Sequence, residues 1–346
     1  MTPPLNIALI GYGYAGRTFH APLIHAEPRL RLHTIVSSKG EQLLTEQPGV
    51  HVVSDPAQAL ANPDIDLVVI ASPNDCHYPQ ADAALRAGKH VVVDKPFTTT
   101  LDEARQLQVL AGHHQRLLSV FHNRRWDADF LTLRQLLDSG SLGQISLFES
   151  RFERYRPQVQ ARWRESAVAG GGLWYDLSPH LLDQALQLFG MPHALHADLA
   201  AQRSGAVATD YFHVSLHYPH LRVLLSASYL VSGGSPRFAV HGTQGSYVKY
   251  GLDTQEGQLK RGETPGCAGW GHDPLPGLHY VQQDGQAHGH AVAMLPGDYR
   301  HYYAGVAAAI LDGAANPVPA SQAIDVMQLI ELGSASAAQG HTLPVR

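Results

Sequence analysis

Asn6-Ile7-Ala8-Leu9-Ile10 runs directly into Gly11-Tyr12-Gly13-Tyr14-Ala15-Gly16. The first five residues read as a short strand, apolar from Ile7 onward. A G-x-G-x-x-G turn directly behind such a strand, and ahead of a stretch that can be helical, is the context that signals dinucleotide binding. Gly11 permits the tight turn, Gly13 lets the backbone approach a pyrophosphate, and Gly16 lets the helix pack close to the strand. Tyr12, Tyr14 and Ala15 complete the expected cofactor turn. The helix that follows offers unpaired N–H groups and a partial positive charge to the phosphates.

Residues 17–26 can carry that helix, with Pro22 near its start, and residues 30–36 alternate as a second strand. An NAD enzyme usually carries Asp or Glu where the second strand ends, to hold the ribose 2′-OH. Here the end is Ser37-Ser38-Lys39. Two hydroxyls and an ammonium suit a 2′-phosphate, which a carboxylate would repel. NADP is therefore expected over NAD, the alternative for these residues being an ordinary polar turn.

Further strands are expected at 50–53, 65–71, 90–93 and 117–120, with helices at 55–61, 78–87 and 101–111 between them. Six alternations of this kind in about 120 residues imply a doubly wound parallel sheet. Ligands lie outside the carboxyl ends of strands in such a sheet. Ser72, Pro73, Asn74 and His77 follow one strand end, and Asp94 and Lys95 follow another, so all are expected around the cofactor. His77 alone is as well explained by a capping or surface role.

The pattern changes after residue 122. Helices are expected at 130–137, 173–189, 299–311 and 321–337. A long strand is expected at 145–155, and short strands at 211–218, 222–229 and 238–241. Closely spaced strands are antiparallel. The fold class is therefore α/β: a Rossmann domain over 1–122, then an α+β domain over 123–346 with a mostly antiparallel open sheet. Residues 253–297, rich in Gly, Pro, His and Gln, read as irregular loops or short edge strands with no function assigned.

Composition sets the limits. At 346 residues the chain exceeds one comfortable core. An apolar content of 44% with 16% charged residues suits a soluble globular protein. A net charge of −5 argues against nucleic acid or an anionic membrane as partner. Cys76 and Cys267 are too few for a disulfide framework, so a reducing cytoplasm is expected. The start Met1-Thr2-Pro3-Pro4 has neither the basic region nor the apolar run of a signal peptide, and no apolar run is long enough for a membrane span. The 22 histidines are scattered, with no HExxH or CxxC, and no metal is expected.

A dinucleotide domain joined to an antiparallel domain suggests an oxidoreductase with substrate in the cleft between them. Hydride transfer from an alcohol needs a base for the hydroxyl proton and a group that stabilises charge on oxygen. Lys95 stands just past a strand end, with its direction set by Pro96. There it is either a hydrogen-bond donor to the reacting oxygen or a solvated surface lysine. Asp176 and His180 are four apart, so in a helix they share a face, and the carboxylate can orient the imidazole as a base near neutral pH. Pro179 leaves three readings open: a kinked helix, a helix that starts near Ser178, or a helix cap with an incidental histidine.

GYGYAG at 11–16, DKPF at 94–97, RWRES at 162–166 and GGGLWYDLSPH at 170–180 together resemble the Gfo/Idh/MocA oxidoreductases, the glucose–fructose oxidoreductase and inositol dehydrogenase relatives. The resemblance covers nearly the whole chain, in order. The family's E-K-P motif falls on Asp94-Lys95-Pro96, with Asp in place of Glu, and its D-x-x-x-H motif on Asp176 to His180. The resemblance implies that Lys95 and His180 face the substrate carbon, that Asp176 supports them, and that Trp163 and Arg164 reach the cofactor. FHNRRWDADF at 121–130 and SYVKYGLD at 246–253 resemble the NADP-dependent scyllo-inositol dehydrogenase branch. That implies a polyol, cyclitol or sugar substrate and a homodimer or homotetramer. A non-catalytic dinucleotide or sugar sensor is the rival reading from the same fold. Reduction of a biliverdin-like or aromatic carbonyl substrate is a further enzymatic one.

Overall fold

The computed structural model describes residues 3–346; Met1 and Thr2, read above for a leader, lie outside the described residues. The chain forms two compact units. The first comprises Met1–Asn123 with two later segments, Gln255–Trp270 and Asp298–Ile324. The second comprises Arg124–Thr254, Gly271–Gly297 and Asp325–Arg346. A single boundary at 122/123 carries no sign of the returning segments. Helical periodicity reports which face of a helix is buried, but not against what.

In the first unit six strands form one sheet. They are β1 (Leu5–Ile10), β2 (Leu30–Val36), β3 (His51–Val53), β4 (Leu67–Ile70), β5 (His90–Val93) and β6 (Leu118–Val120). Their order is β3-β2-β1-β4-β5-β6 and every pairing is parallel. Leu67-Val68-Val69-Ile70 is buried at every position, as a strand covered on both faces must be. The helices between strands start where their caps dictate. Asp55 accepts the Ala57 N–H at the head of Pro56–Ala61. Thr100 and Glu103 form a reciprocal capping box at the head of Leu101–His114.

The first helix departs from expectation. Its Gly16–His20 portion is a π-turn, and Pro22 follows it in Ala21–His25. The Ala21 N–H reaches the Gly16 carbonyl, one residue further back than in an α-helix.

The second unit holds nine strands: β7 (Ile145–Arg151), β8 (Ala194–Ala200), β9 (Tyr211–His217), β10 (Arg222–Ser228), β11 (Phe238–Gly242), β12 (Ser246–Lys249), β13 (Gly277–Gln283), β14 (Gln286–Val292) and β15 (Leu343–Pro344). Their order is β14-β13-β12-β11-β7-β10-β9-β8-β15. All neighbours are antiparallel except β7 and β10, which run parallel. The helix Gly172–Phe189 and the pair β8–β9 lie in the chain between those two strands, supplying the long connection a parallel pairing needs.

Two local expectations are corrected. β7 stops at Arg151, and Tyr155 makes only an isolated bridge with Leu230. The stretch 253–297 contains a helix, Gln255–Lys260, and a regular hairpin, β13–β14, closed by Asp284-Gly285 with both residues at positive φ. That dipeptide suits a two-residue hairpin turn. The hairpin lies at the edge of the sheet, which answers the edge-strand alternative for this stretch. Among the described residues no helix is long and apolar enough to cross a membrane.

The helix Gly172–Phe189 is the axis of the second unit. Its Trp174 indole donates to the Ile330 carbonyl at 3.2 Å and to Ser334 Oγ at 3.1 Å, and packs edge-on against Phe212. On its polar side Asp183 takes two bonds from the Arg125 guanidinium, at 2.9 and 2.5 Å. Gln184 donates to the Arg124 carbonyl and accepts from Arg237. Both members of the Arg125–Asp183 pair are nearly inaccessible. Removing one partner would therefore strand a buried charge. Asp183→Ala is expected to cost about 3–5 kcal/mol, read as an earlier unfolding transition of the second unit in urea.

Candidate active site

The glycine turn is built by backbone contacts. Gly11 donates to the Val36 carbonyl at the end of β2, and Ala71 donates to the Ile10 carbonyl at the end of β1. The turn thus sits where the strand order reverses from β2-β1 to β4. Gly11 has φ +93°, and a Cβ there would lie 2.7 Å from the Ala71 carbonyl oxygen. A Cβ on Gly16 would collide with the Gly11 carbonyl. Gly13 differs: nothing lies within 4 Å of the place its Cβ would occupy. Two of the glycines serve chain packing, and the third leaves open space at the head of the helix. Those residues fit a pyrophosphate.

Tyr12 and Tyr14 are turned to either side. The Tyr12 hydroxyl accepts from Gln47, and burial lifts its pKa. Tyr14, about half exposed, donates to Glu256, while Lys260 lies over its ring. Ala15 opens the helical turn. Ser37 donates its N–H to the Val53 carbonyl and accepts the Lys39 N–H on its hydroxyl, leaving Ser38 and Lys39 exposed at the end of β2.

Past β4, the Ser72 hydroxyl donates to Gln80, Pro73 introduces a 3₁₀ turn, and Asn74 is buried. His77 is 1% exposed. Its Nδ1 lies 2.8 Å from the Pro96 carbonyl and its Nε2 3.1 Å from that of Ser72. Burial pulls its pKa down against the nearby Asp94. His77 thus bridges the loops that follow β4 and β5.

The loop after β5 starts with Asp94, whose N–H meets the Ile70 carbonyl. Asp94 Oδ1 accepts the Lys95 N–H at 2.7 Å. Burial would raise the Asp94 pKa, but His20, Lys95 and His77 together hold it below the usual carboxylate range. Lys95 is half-buried and its bond to Pro96 is cis.

In the second unit, Gly172 has φ +82° and packs so closely on Thr209 that a Cβ would lie 3.0 Å from its nitrogen. Leu173 donates to the Thr209 carbonyl at 2.6 Å. From this pinned start the helix runs unbroken through Pro179, so Asp176 and His180 are both helical and one turn apart. The readings of a helix that starts near Ser178 and of a helix cap give way to this one. His180 is buried, and Arg164, stacked on Trp163, places its Nε 3.8 Å from Asp176 Oδ1. The segment is held by Glu165, which joins Arg162 and the buried Arg203. Arg203 also holds Asp210. Sequence reasoning missed Arg203 and Asp210, along with His20 and Tyr303, because their partners are not neighbours in the chain.

The description "Oxidoreductase family, NAD-binding Rossmann fold" matches residues 5–122, and "Oxidoreductase family, C-terminal alpha/beta domain" matches residues 134–345, both of Gfo/Idh/MocA type. The chain belongs to the Gfo/Idh/MocA oxidoreductase family. It is 52% identical over 343 residues to YdgJ, an uncharacterized oxidoreductase of Escherichia coli, covering 99% of each chain. It is 38% identical over 341 residues to IolW, a scyllo-inositol 2-dehydrogenase (NADP(+)) of Bacillus subtilis, covering 98% of this chain and 95% of that one. Among solved structures, the oxidoreductase YvaA of Bacillus subtilis superposes with a TM-score of 0.97 at 37% identity, covering 100% and 99% of the two chains. The chain is thus an oxidoreductase with a nicotinamide-dinucleotide-binding Rossmann unit.

The glycine geometry separates two substitutions. Gly13→Val is expected to leave the melting temperature near wild type and weaken NADPH binding at least tenfold in a fluorescence titration. Gly16→Val is expected to lower the melting temperature itself, because its side chain has only backbone to displace.

Proposed function

We infer that this oxidoreductase exchanges hydride between NADP(H) and a CH–OH group of a polyol, cyclitol or sugar, with a scyllo-inositol-like ring as the favoured substrate. The observation that carries the reading is the unbroken helix that sets Asp176 and His180 one turn apart in the second unit. The loop after β5 in the first unit contributes Lys95. The likeness to IolW supports both the substrate class and the cofactor choice. The absence of a carboxylate in Ser37-Ser38-Lys39 supports NADP on independent chemical grounds.

Bound NADP supplies the hydride acceptor, and NADPH the donor. Gly11, Gly13 and Gly16 would hold its pyrophosphate, and Ser37, Ser38 and Lys39 its 2′-phosphate. Trp163 and Arg164 would reach it from the second unit. His180 takes the substrate hydroxyl proton in oxidation and returns it in reduction. Asp176 orients the imidazole and raises its basicity. Lys95 hydrogen-bonds the same oxygen and stabilises the charge that grows there. Retention of all three groups is what an enzyme needs and a sensor does not.

Two measurements test this. Lys95→Ala and His180→Ala are each expected to lower kcat at least 10²-fold with scyllo-inositol and NADP at alkaline pH; near-normal turnover in either overturns the assignment. Wild-type kcat/KM is expected to be at least tenfold higher with NADP than with NAD, and Lys39→Ala to narrow that ratio. Equal values for the two cofactors in the wild type overturn 2′-phosphate recognition.

A further inference from the structure

We propose that His20, held by Tyr303, is a positioning residue that sets Lys95 through the carboxylate of Asp94. The proposal rests on the reading of Lys95 as the donor to the reacting oxygen. His20 is wholly inaccessible. Its Nδ1 lies 2.6 Å from the Tyr303 hydroxyl, and its Nε2 lies 3.7 Å from Asp94 Oδ2. The ring packs tilted against Phe121, centroids 4.4 Å apart, and Phe121 packs edge-on against Tyr302. The Tyr302 hydroxyl in turn bonds Ser119 Oγ at 2.9 Å. Through His20 this buried cluster reaches the carboxylate next to the proposed catalytic lysine.

The tautomer follows from the neighbours. Burial lifts the Tyr303 phenol well above its usual range, so it keeps its proton and can donate. With the phenol donating to Nδ1, the neutral ring carries its hydrogen on Nε2, facing the carboxylate. The opposite tautomer would aim a lone pair at a negative charge. The ionisable groups around the Asp94 carboxylate are His20, Lys95 and His77. His77 lies between the carbonyls of Ser72 and Pro96 and can donate its one N–H to either, and Asp94 Oδ1 accepts the Lys95 N–H. His20 addresses Oδ2, at a distance that guides the carboxylate by charge without a formed hydrogen bond.

The π-turn accounts for the reach of His20. Each residue of an α-helix advances about 100° around the axis. One extra residue in the turn Gly16–His20 therefore rotates His20 by about that angle from the face an α-helix beginning at Tyr14 would give it. The departure from regular helix ends at His20, the residue that bonds Tyr303 and addresses Asp94.

The function of such a device is to fix one side of Asp94, and with it the backbone from which Lys95 extends. A misplacement of about 1 Å in a catalytic group can cost about 10²-fold in rate. The loss should fall on kcat, because the pyrophosphate turn lies on other residues. The conservative variant is His20→Gln, whose side-chain amide can present an N–H toward Asp94 where Nε2 stood. His20→Leu keeps the bulk and removes the N–H.

The test combines kinetics with a readout independent of turnover. His20→Leu is expected to lower kcat by 10-fold or more with scyllo-inositol and NADP, while the NADPH dissociation constant stays within twofold. His20→Gln is expected to recover most of that loss, and Tyr303→Phe to lose several-fold. In the ¹⁵N-histidine spectrum of the apoprotein, the resonance missing from His20→Gln identifies His20, and it is expected to show the Nε2–H tautomer. An Nδ1–H tautomer overturns the proposal. So does a kcat loss equal in Leu and Gln variants that tracks a common fall in melting temperature. Normal turnover in His20→Leu beside a dead Lys95→Ala overturns the proposal alone. Normal turnover in Lys95→Ala overturns the underlying reading of Lys95 and this proposal with it.

Discussion

The first unit depends on a close approach of backbone to backbone. Gly11 lies against the Ala71 carbonyl, and Gly16 lies against the carbonyl of Gly11. No side chain fits at either contact, so the chain turns sharply and the next helix starts tight against the sheet. The ends of β2 and β4 flank the turn as a result, and the loops after β4 and β5 come into line beside it. Gly13 is relieved of packing by its neighbours, which is why it can leave space for a ligand.

In the second unit the constraint is electrostatic. One helix carries Asp176 and His180 on its first turns and Asp183 and Gln184 on the following one. The later pair is buried against Arg125, Arg124 and Arg237. Buried ion pairs of this kind contribute little net stability compared with apolar packing, but they are costly to break and so hold a helix in one register. With Trp174 bonded on the other side, the helix is gripped near both ends of its polar stretch. That grip tolerates Pro179, which donates no N–H to the carbonyl one turn back.

Much of this was legible in the chain. Short runs such as Leu67–Ile70 and His90–Val93, separated by helices with visible caps, announced a parallel sheet. The motifs around Lys95 and His180 pointed to the family and its chemistry. What escaped was of two kinds. The hairpin β13–β14 lacks the apolar alternation that marks a strand, since its outer strand is almost wholly exposed, so loops and short edge strands could not be told apart there. The parallel pairing of β7 with β10 follows from the connection between them, which spacing alone does not reveal. The histidines make the same point at the site. His77 was singled out because it follows a strand end, and its burial between two carbonyls shows only in the fold. His20 drew no notice within an ordinary helical stretch, and it faces Asp94.

By itself, the sequence determined the local grammar: strand, glycine turn, helix, and the residue types that hydride chemistry requires, at spacings a helix or turn can use. Those are matters of periodicity, chain entropy and chemical type, and they are carried by neighbours in the chain. Only the tertiary structure decided which polar groups are committed to the scaffold and which remain for a ligand. Burial and hydrogen-bond partnership depend on residues far apart in sequence, as with His20 and Tyr303, and no local pattern encodes that pairing.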